Sequence, residues 1–211
     1  EEGTFFKSMS EFVSAKDPYG IPTDIFSKPE KYGRTEKDFT VQRLNSSDIR
    51  IFGGIDHKRA ERFVKSDFSM KDNSNVCKYK IFVPWAWGNM DVNAGLGGAF
   101  ADIIIAEPND VCSMTYNTCG EFDDYETAKK HAKYMMTTFF RGLMFMNKDV
   151  KTSSRTAYTS VPVQDYKEDW WSGTIESSDK HLDEKDNAMD LMRFFLENIQ
   201  IKSENNIINF H

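Results

Sequence analysis

The chain has 211 residues and a net charge of −6, which is enough length for one domain of ordinary size with a substantial core. No stretch approaches the roughly 20 apolar residues of a membrane span, so no membrane partner is expected. The acidic balance mildly disfavours nucleic acid as a partner, because phosphate binding needs local positive charge, but segregated basic residues can override the mean.

The first half of the chain is predicted to hold strands separated by irregular segments. Residues 1–13 are mixed in character, and their first letters, EEGTFF, read as the start of a piece excised from a longer protein. Two prolines and a glycine exclude regular structure in residues 16–26. Residues 49–55 have strand character, and residues 56–64 (DHKRAERFV) are predicted as a short helix. Residues 78–83 alternate polar and apolar side chains, which predicts a half-buried strand.

The segment of residues 84–100 is the least regular, with two tryptophans, four glycines and two asparagines. This composition is typical of an exposed functional loop. In one interpretation its indoles and amides reach a ligand or a base edge, and in the other Trp85 and Trp87 cover a sheet edge. Residues 101–106 then predict a central strand, and residues 111–119 alternate well enough for another one.

The clearest periodicity runs over residues 123–146, where apolar residues recur at spacings of three and four. This pattern predicts one long amphipathic helix, with Asp123 as its N-cap and Glu126 as the capping-box partner. A helix this long and apolar needs a sheet to cover it. Almost complete burial is expected for four residues: Phe139, Phe140, Leu143 and Ile104.

A basic loop follows the helix at residues 147–155, and residues 156–163 are predicted as a strand. A second amphipathic helix is predicted at residues 182–199. The resulting fold class is α+β, a mixed sheet packed on the long helix plus a C-terminal helix. We expect residues 1–180 to form one domain and residues 181–211 to form the C-terminal helix and tail.

No catalytic motif is present: the chain has no GxSxG, no Walker loop and no GxGxxG after a strand. The glycines of residues 95–98 precede a predicted strand, whereas a phosphate cradle needs glycines before a helix. We therefore expect no catalytic residue in this chain. A free-standing nuclease is the weaker alternative, and it would need Asp102 and Glu107 to converge with Lys80.

Three cysteines without CxxC spacing indicate reduced thiols of a cytosolic protein, and the four histidines are scattered. Cys112 and Cys119 with His131 are conceivable metal ligands, but we expect no metal site. Positive charge gathers in residues 50–65 and 148–155. We expect these two stretches to lie on one side of the domain, although a solvated loop explains the second equally well.

Several segments, in this order, resemble one known family. Residues 17–23 (DPYGIPT) are similar to the Pro-Phe-Gly-Leu-Pro-Thr segment that opens the C-terminal specificity region of fused type II restriction–modification methyltransferases. Residues 79–84 (YKIFVP) resemble the strand before that region's variable glycine-rich loop, and residues 105–116 resemble its Glu-Pro-Gly turn and the next strand. Residues 138–143 are similar to its Thr-Lys-Phe-Phe-Arg-Phe-Leu helix, and residues 160–166 to its Phe-Val-Pro-Leu-Gln-Asp-Phe exit.

The resemblance spans nearly the whole chain, because residues 198–210 also look like the family's terminal segment. Two departures matter. Residues 147–150 replace the family's Lys-Val-Thr-Gln, and residues 167–186 do not follow its Trp-Thr-Asp-Glu pattern. The DNA sequence that a relative reads therefore does not carry over to this chain.

The resemblance implies a DNA target-recognition domain, similar to one half of the specificity subunit of type I restriction systems. It also implies a parent adenine-N6 methyltransferase in the cytoplasm. The catalytic domain of that parent lies outside this fragment and binds S-adenosylmethionine, with Mg²⁺ where an endonuclease is fused. The fragment itself is expected to bind double-stranded DNA and no cofactor. An α/β module that binds a small ligand or a protein is the alternative, favoured by the acidic balance and the aromatic loop.

A recognition domain grips phosphates with basic and hydroxyl side chains and reads base edges with amides. The basic stretches and the loop of residues 84–100 supply such side chains. The predicted DNA contacts are Arg50, Lys58, Arg59, Arg62, Trp87, Asn89, Asn93, Lys148, Lys151, Ser153 and Arg155.

Overall fold

The computed structural model describes six segments of the chain: residues 7–56, 58–86, 103–147, 152–164, 199–201 and 208–210. Its strands are β1 Ile49–Ile55, β2 Lys58–Val64, β3 Tyr79–Pro84, β4 Ile104–Ala106, β5 Asp110–Cys112, β6 Tyr116–Phe122, β7 Ile199–Ile201 and β8 Ile208–Phe210. Its helices are α1 Tyr125–Met135 and α2 Thr138–Asn147, with shorter 3-10 helices at Met9–Phe12, Pro29–Tyr32, Glu36–Asp38 and Arg155–Tyr158. The fold class is α+β.

The first sheet has the strand order β2-β1-β5. β1 and β2 form an antiparallel hairpin, whereas β5 runs parallel to β1. The prediction of a helix at residues 56–64 is therefore wrong. Lysine, arginine, alanine and glutamate favour a helix in isolation, but pairing along the whole length of β1 outweighs that local preference. Asp56, with a positive φ of 49°, makes the tight turn between the two strands.

The second sheet, here called the middle sheet, has the order β4-β3-β6 with both pairings antiparallel. The strand predicted at residues 101–106 is present as β4, but it lies at an edge, and β3 is the central strand. Residues 80–84 are all buried, so β3 is not half-buried as predicted. The reason is that this sheet is covered on both faces.

The single strand predicted at residues 111–119 is two strands in different sheets. β5 belongs to the first sheet and β6 to the middle sheet, and the chain crosses between them at residues 113–115. Gly120 lies within β6 with a φ of 69°, and a Cβ there would lie 2.3 Å from the ring of Phe122. Only glycine fits this position without a local rearrangement.

The long helix predicted at residues 123–146 is broken into α1 and α2. Asp124, not Asp123, is the N-cap of α1, and its carboxylate accepts a hydrogen bond from the Thr127 backbone N–H at 2.8 Å. α2 begins after Thr137, whose hydroxyl accepts a hydrogen bond from the Phe140 N–H at 3.2 Å and donates to the Tyr134 carbonyl at 2.7 Å. Thr137 therefore acts as a cap between the two helices.

Two hydrophobic clusters lie on opposite faces of the middle sheet. Ile81, Val83 and Cys119 pack toward the helices, in a cluster that includes Phe140. On the other face, buried residues of β3 and β6 pack toward the first sheet with others such as Ile51. Helices, middle sheet and first sheet are thus three successive layers. Of the four residues expected to be almost fully buried, only Phe140 is so, whereas Phe139, Leu143 and Ile104 are half-buried.

The strand predicted at residues 156–163 is wrong for most of its length. Arg155–Tyr158 is a 3-10 helix, and only an isolated bridge between Ser8 and Pro162 has strand geometry there. The predicted helix at residues 182–199 lies outside the described residues except for Ile199, which opens β7. β7 and β8 form a short antiparallel pair.

Among the described residues, no helix combines the length and apolar character required to cross a membrane.

Candidate nucleic-acid interface

The hairpin of β1 and β2 spreads the first predicted basic stretch over two ends of the first sheet. Lys58 pairs with Ile55 and Arg59 with Gly54, so both lie at the turn of the hairpin, and both are exposed. Lys65 follows β2 at the opposite end. At about 3.3 Å per residue the two ends are about 20 Å apart, so the stretch does not form one patch.

Arg50 is held by an ion pair within the sheets. Its Nε and Nη2 donate to the two carboxylate oxygens of Asp110 at 2.9 and 2.7 Å, and Asp110 is fully buried. Glu61 and Glu107 lie 3.7 and 3.9 Å away. The hydrogen bonds to Asp110 raise the pKa of Arg50 above its usual value. The guanidinium of Arg50 therefore already has carboxylate partners, and a contact of Arg50 with DNA stays a prediction.

The end of β3 is joined to the segment that follows α2. The Trp85 N–H donates to the Thr115 carbonyl at 2.8 Å, and the Trp85 carbonyl accepts from the Ser153 N–H, also at 2.8 Å. Ala86 and Thr152 form an antiparallel bridge. Ala86 and Thr152, which adjoin the predicted DNA contacts Trp87 and Lys151 in the sequence, therefore lie side by side. Trp85 itself is half-buried.

A chain of contacts connects this junction to Phe52 in β1, three residues before the end of that strand at the hairpin turn. The Ser113 N–H donates to the Phe52 carbonyl at 2.8 Å, and the hydroxyls of Ser113 and Thr115 lie 2.8 Å apart. Burial raises the pKa of Tyr116, the first residue of β6, and the charge of Arg59 opposes that rise. We use the name basic end for Lys58 and Arg59 at the hairpin turn together with Trp85, Thr152 and Arg155 at the junction.

The residues predicted around position 153 differ in their accessibility. Arg155 is exposed, and its Nε donates to the Val13 carbonyl at 2.9 Å. Ser153 is fully buried, and its carbonyl accepts from the Asn117 side-chain amide at 2.7 Å. In this conformation the Ser153 side chain is not accessible, and its contact with DNA stays a prediction. Its role is to join β6 to the chain after α2.

Arg62 lies in the middle of β2 and turns toward its own strand. Its Nη1 donates to the Glu61 carbonyl at 2.8 Å, and its guanidinium lies 5.8 Å from the ring centroid of Phe26. The structure does not bring Arg62 to the basic end. The remaining predicted contacts, Trp87, Asn89, Asn93, Lys148 and Lys151, lie outside the described residues and stay predictions.

Lys16 is a basic residue at this end that the sequence analysis missed. Its Nζ lies 5.4 Å from the ring centroid of Trp85, which is a cation–π arrangement. Lys16 precedes a proline and glycine turn, and no local pattern indicates a contact with a residue so distant in sequence.

Lys80 of β3, which the nuclease alternative requires, is held by backbone carbonyls. It is fully buried, and its ammonium donates to the carbonyls of Asn75, Val76 and Lys78 at 3.1, 3.2 and 3.0 Å. Burial lowers the pKa of Lys80 to about 8, so the ammonium form still predominates at neutral pH. Asp102, one of the proposed carboxylates, lies outside the described residues. The Lys80 ammonium also lies 3.5 Å from the Glu107 carbonyl, whereas the Glu107 side chain is exposed, and the convergence with Asp102 stays a prediction.

The cysteine and histidine side chains have structural positions. Cys119 and His131 are buried, with Sγ and Nε2 3.6 Å apart. Burial raises the pKa of the Cys119 thiol and lowers that of His131 to about 3, so both are neutral. Cys112 is buried, Cys77 is exposed, and neither is in a disulfide. In the described part of the chain no three histidine, cysteine or acidic residues are grouped as metal ligands.

A groove of about 350 Å³ lies at the other end of the first sheet. Three basic and three acidic side chains line it: Arg34, Lys37, Lys65, Asp38, Asp48 and Asp67. Because these charges balance, the groove has no preference for ligands of one sign. Leu44 also lines the groove, and Val41 follows the lining residue Thr40 in the sequence. The side chains of Val41 and Leu44 are each 70% exposed.

Comparisons with protein-family models, with curated proteins and with solved structures give no match to this chain.

Proposed function

We propose that this chain is the DNA target-recognition part of an adenine-N6 methyltransferase of a restriction–modification system. The observation that carries the proposal is the basic end. Exposed Lys58 and Arg155 have no carboxylate partner among the described residues, and they come from segments far apart in sequence. Phosphate groups of duplex DNA are the ligands that suit such cations.

The class of enzyme comes from the sequence resemblance. In this proposal a catalytic domain elsewhere in the parent chain binds S-adenosylmethionine and transfers the methyl group. An endonuclease fused to that parent would add Mg²⁺. The protein works in the cytoplasm, where its free thiols remain reduced. The described residues supply recognition only, without catalytic groups or a cofactor.

A separate recognition domain has a physical basis. Methylation of the exocyclic amine of adenine requires the base to leave the stack, at a cost of a few kcal/mol. Phosphate contacts at the basic end hold the duplex in register while this happens. Base reading is assigned to the segment that follows Ala86 in the sequence, where Asn89 and Asn93 provide amides suited to adenine.

The experiment measures binding of the chain to a labelled duplex by fluorescence anisotropy over a series of salt concentrations. We expect log K to fall linearly with log salt. Lys58→Gln should weaken binding to all sequences alike and reduce that slope by about one. Lys65→Gln is the matched control, because Lys65 is also exposed but lies at the opposite end of β2. It should leave the slope unchanged.

Two results would overturn the proposal. One is the absence of salt-dependent binding to duplex DNA at low ionic strength. The other is an equal loss of slope in Lys58→Gln and Lys65→Gln, because that result would describe diffuse attraction rather than contact at the basic end.

A second candidate function rests on the groove beside Lys65. Its balanced charges, with Val41 and Leu44 exposed nearby, favour an amphipathic small ligand or a segment of another protein. This candidate predicts that Leu44→Ser abolishes ligand capture and that Lys58→Gln has no effect. The opposite pattern of effects supports DNA recognition.

A further inference from the structure

The side chain of Lys16 is positioned by an aromatic ring. Its Nζ lies 5.4 Å from the ring centroid of Trp85, and Lys16 is exposed. Within the described residues Lys16 has no carboxylate partner. A lysine that rests on an indole keeps its charge but loses part of its rotamer freedom before any ligand arrives. Less ordering is then needed when an anion binds.

Arg155 is positioned by the same segment of chain. Its Nε donates to the carbonyl of Val13, three residues before Lys16, at 2.9 Å. In the described part of the chain its two terminal nitrogens have no hydrogen-bond partner. A guanidinium held at Nε presents its remaining N–H groups in a fixed plane, the geometry that binds two oxygens of one phosphate.

Both cations are attached to the edge of the middle sheet. Backbone hydrogen bonds link Trp85 to Thr115 and Ser153, each at 2.8 Å, and the Ser14 N–H donates to the Thr118 carbonyl at 2.9 Å. These hydrogen bonds join three parts of the chain to the middle sheet. They are the segment that carries Lys16, the residue Trp85 and the segment that carries Arg155. Rigid placement of cations favours one defined anion over diffuse attraction.

We propose that Lys16 and Arg155 form a subsite for one phosphodiester group of the DNA backbone, with Trp85 as the positioning residue for Lys16. The proposal rests on the proposed function and adds a contact that no sequence motif indicates. A phosphodiester suits two different donors because it has two anionic oxygens, each able to accept several hydrogen bonds. The phosphodiester binds and leaves without the formation or breakage of a covalent bond.

The first test is lysine acetylation of the intact chain followed by mass spectrometry. Duplex DNA and inorganic pyrophosphate are added in separate experiments. We expect each to protect Lys16 from the reagent and to leave Lys65 reactive. The Arg155→Gln variant should lose most of the protection of Lys16 by pyrophosphate, because the second cation is then missing.

The second test is the salt dependence of duplex binding in a set of variants. Lys16→Gln and Arg155→Gln should each reduce the slope of log K by about one. Trp85→Leu should weaken binding in the wild-type background but not in Lys16→Gln, whereas Trp85→Phe should retain most of the affinity. Melting temperatures of all variants check that the fold is intact, and a merely structural role of Trp85 would weaken binding equally in both backgrounds.

The outcomes separate the two proposals. If Lys58→Gln reduces the slope and the Lys16 variants do not, the subsite is wrong and the proposed function stands. If the chain shows no DNA binding but pyrophosphate protects Lys16 through Arg155, the DNA assignment is wrong and the subsite belongs to another phosphate. If neither probe protects Lys16, the subsite is refuted.

Discussion

At the scale of single residues, partners distant in sequence decide which charged side chains remain available. Arg50 and Arg155 look alike in the sequence, but Arg50 binds Asp110, 60 residues away, whereas among the described residues Arg155 donates only to the Val13 carbonyl. Lys80 sits in a strand whose alternation predicts an exposed lysine, yet carbonyls of the preceding turn surround its ammonium. No local pattern contains these tertiary contacts, so composition alone could name basic candidates but not choose among them.

His131 gives a prediction about acid stability. It is buried against Cys119 and the ring of Phe122, and burial lowers its pKa to about 3. The unfolded chain protonates this histidine near pH 6.5, while the folded chain keeps it neutral until about pH 3. Stability is therefore lost as the pH falls below 6.5, by up to about 1.4 kcal/mol per pH unit.

Urea unfolding between about pH 6.5 and 4.5 measures this effect, since most carboxylates titrate below that window. In His131→Gln the slope of the free energy of unfolding against pH should decrease by one proton relative to the wild type. His211→Gln removes a different histidine and serves as the control. Equal slopes in the wild type and His131→Gln would show that His131 is not held neutral.

At the scale of elements, the sequence predicts β1 and β3 well, but it predicts the charged β2 as a helix and the apolar residues 156–163 as a strand. β1 and β3 have apolar or alternating patterns and were predicted at nearly their observed bounds. β2 was predicted as a helix because its residues favour one, and only pairing with β1 determines its conformation. The signal that could have found the hairpin is Asp56, a residue type that tolerates the positive φ of a tight turn.

The break between α1 and α2 also has a local signal. Thr137 and Thr138 interrupt a run of good helix formers, and a threonine hydroxyl can cap a new helix. The apolar spacing of three and four residues continues across Thr137 because both helices pack on the same face of the middle sheet. Side-chain spacing alone therefore could not distinguish one helix from two.

The packing of Phe139 and Phe140 in α2 gives a prediction at this scale. Phe140 is fully buried and packs edge-to-face against Tyr134 and Tyr158, with ring centroids 5.0 and 6.0 Å away. Phe139 is only half-buried. Phe140→Ala should lower the free energy of unfolding by about 3–5 kcal/mol, and Phe139→Ala by clearly less. Thermal and urea unfolding of the pair give the comparison, and similar losses would contradict the assigned packing.

At the scale of the whole molecule, position matters more than net charge for DNA binding. The chain carries −6 overall, but at about 0.1 M salt charges more than about 10 Å from a phosphate are largely screened. Acidic residues beyond that distance therefore do little to oppose contacts at the basic end. The sequence could predict that basic residues are segregated, but which of them share one end depends on the hairpin and on the junction between Trp85 and Ser153.

The last prediction concerns the cofactor of the proposed parent enzyme. Cofactor and phosphate sites in α/β enzymes use free N–H groups at a helix N-terminus. In the described residues both α-helices are capped by their own side chains, α1 by Asp124 and α2 by Thr137. We expect titration calorimetry to detect no binding of S-adenosylmethionine to this chain and expect no methyl transfer to DNA. The same sample should bind duplex DNA, which confirms that it is folded. A saturable heat with one cofactor per chain would place cofactor binding within this chain and contradict its assignment as a recognition domain alone.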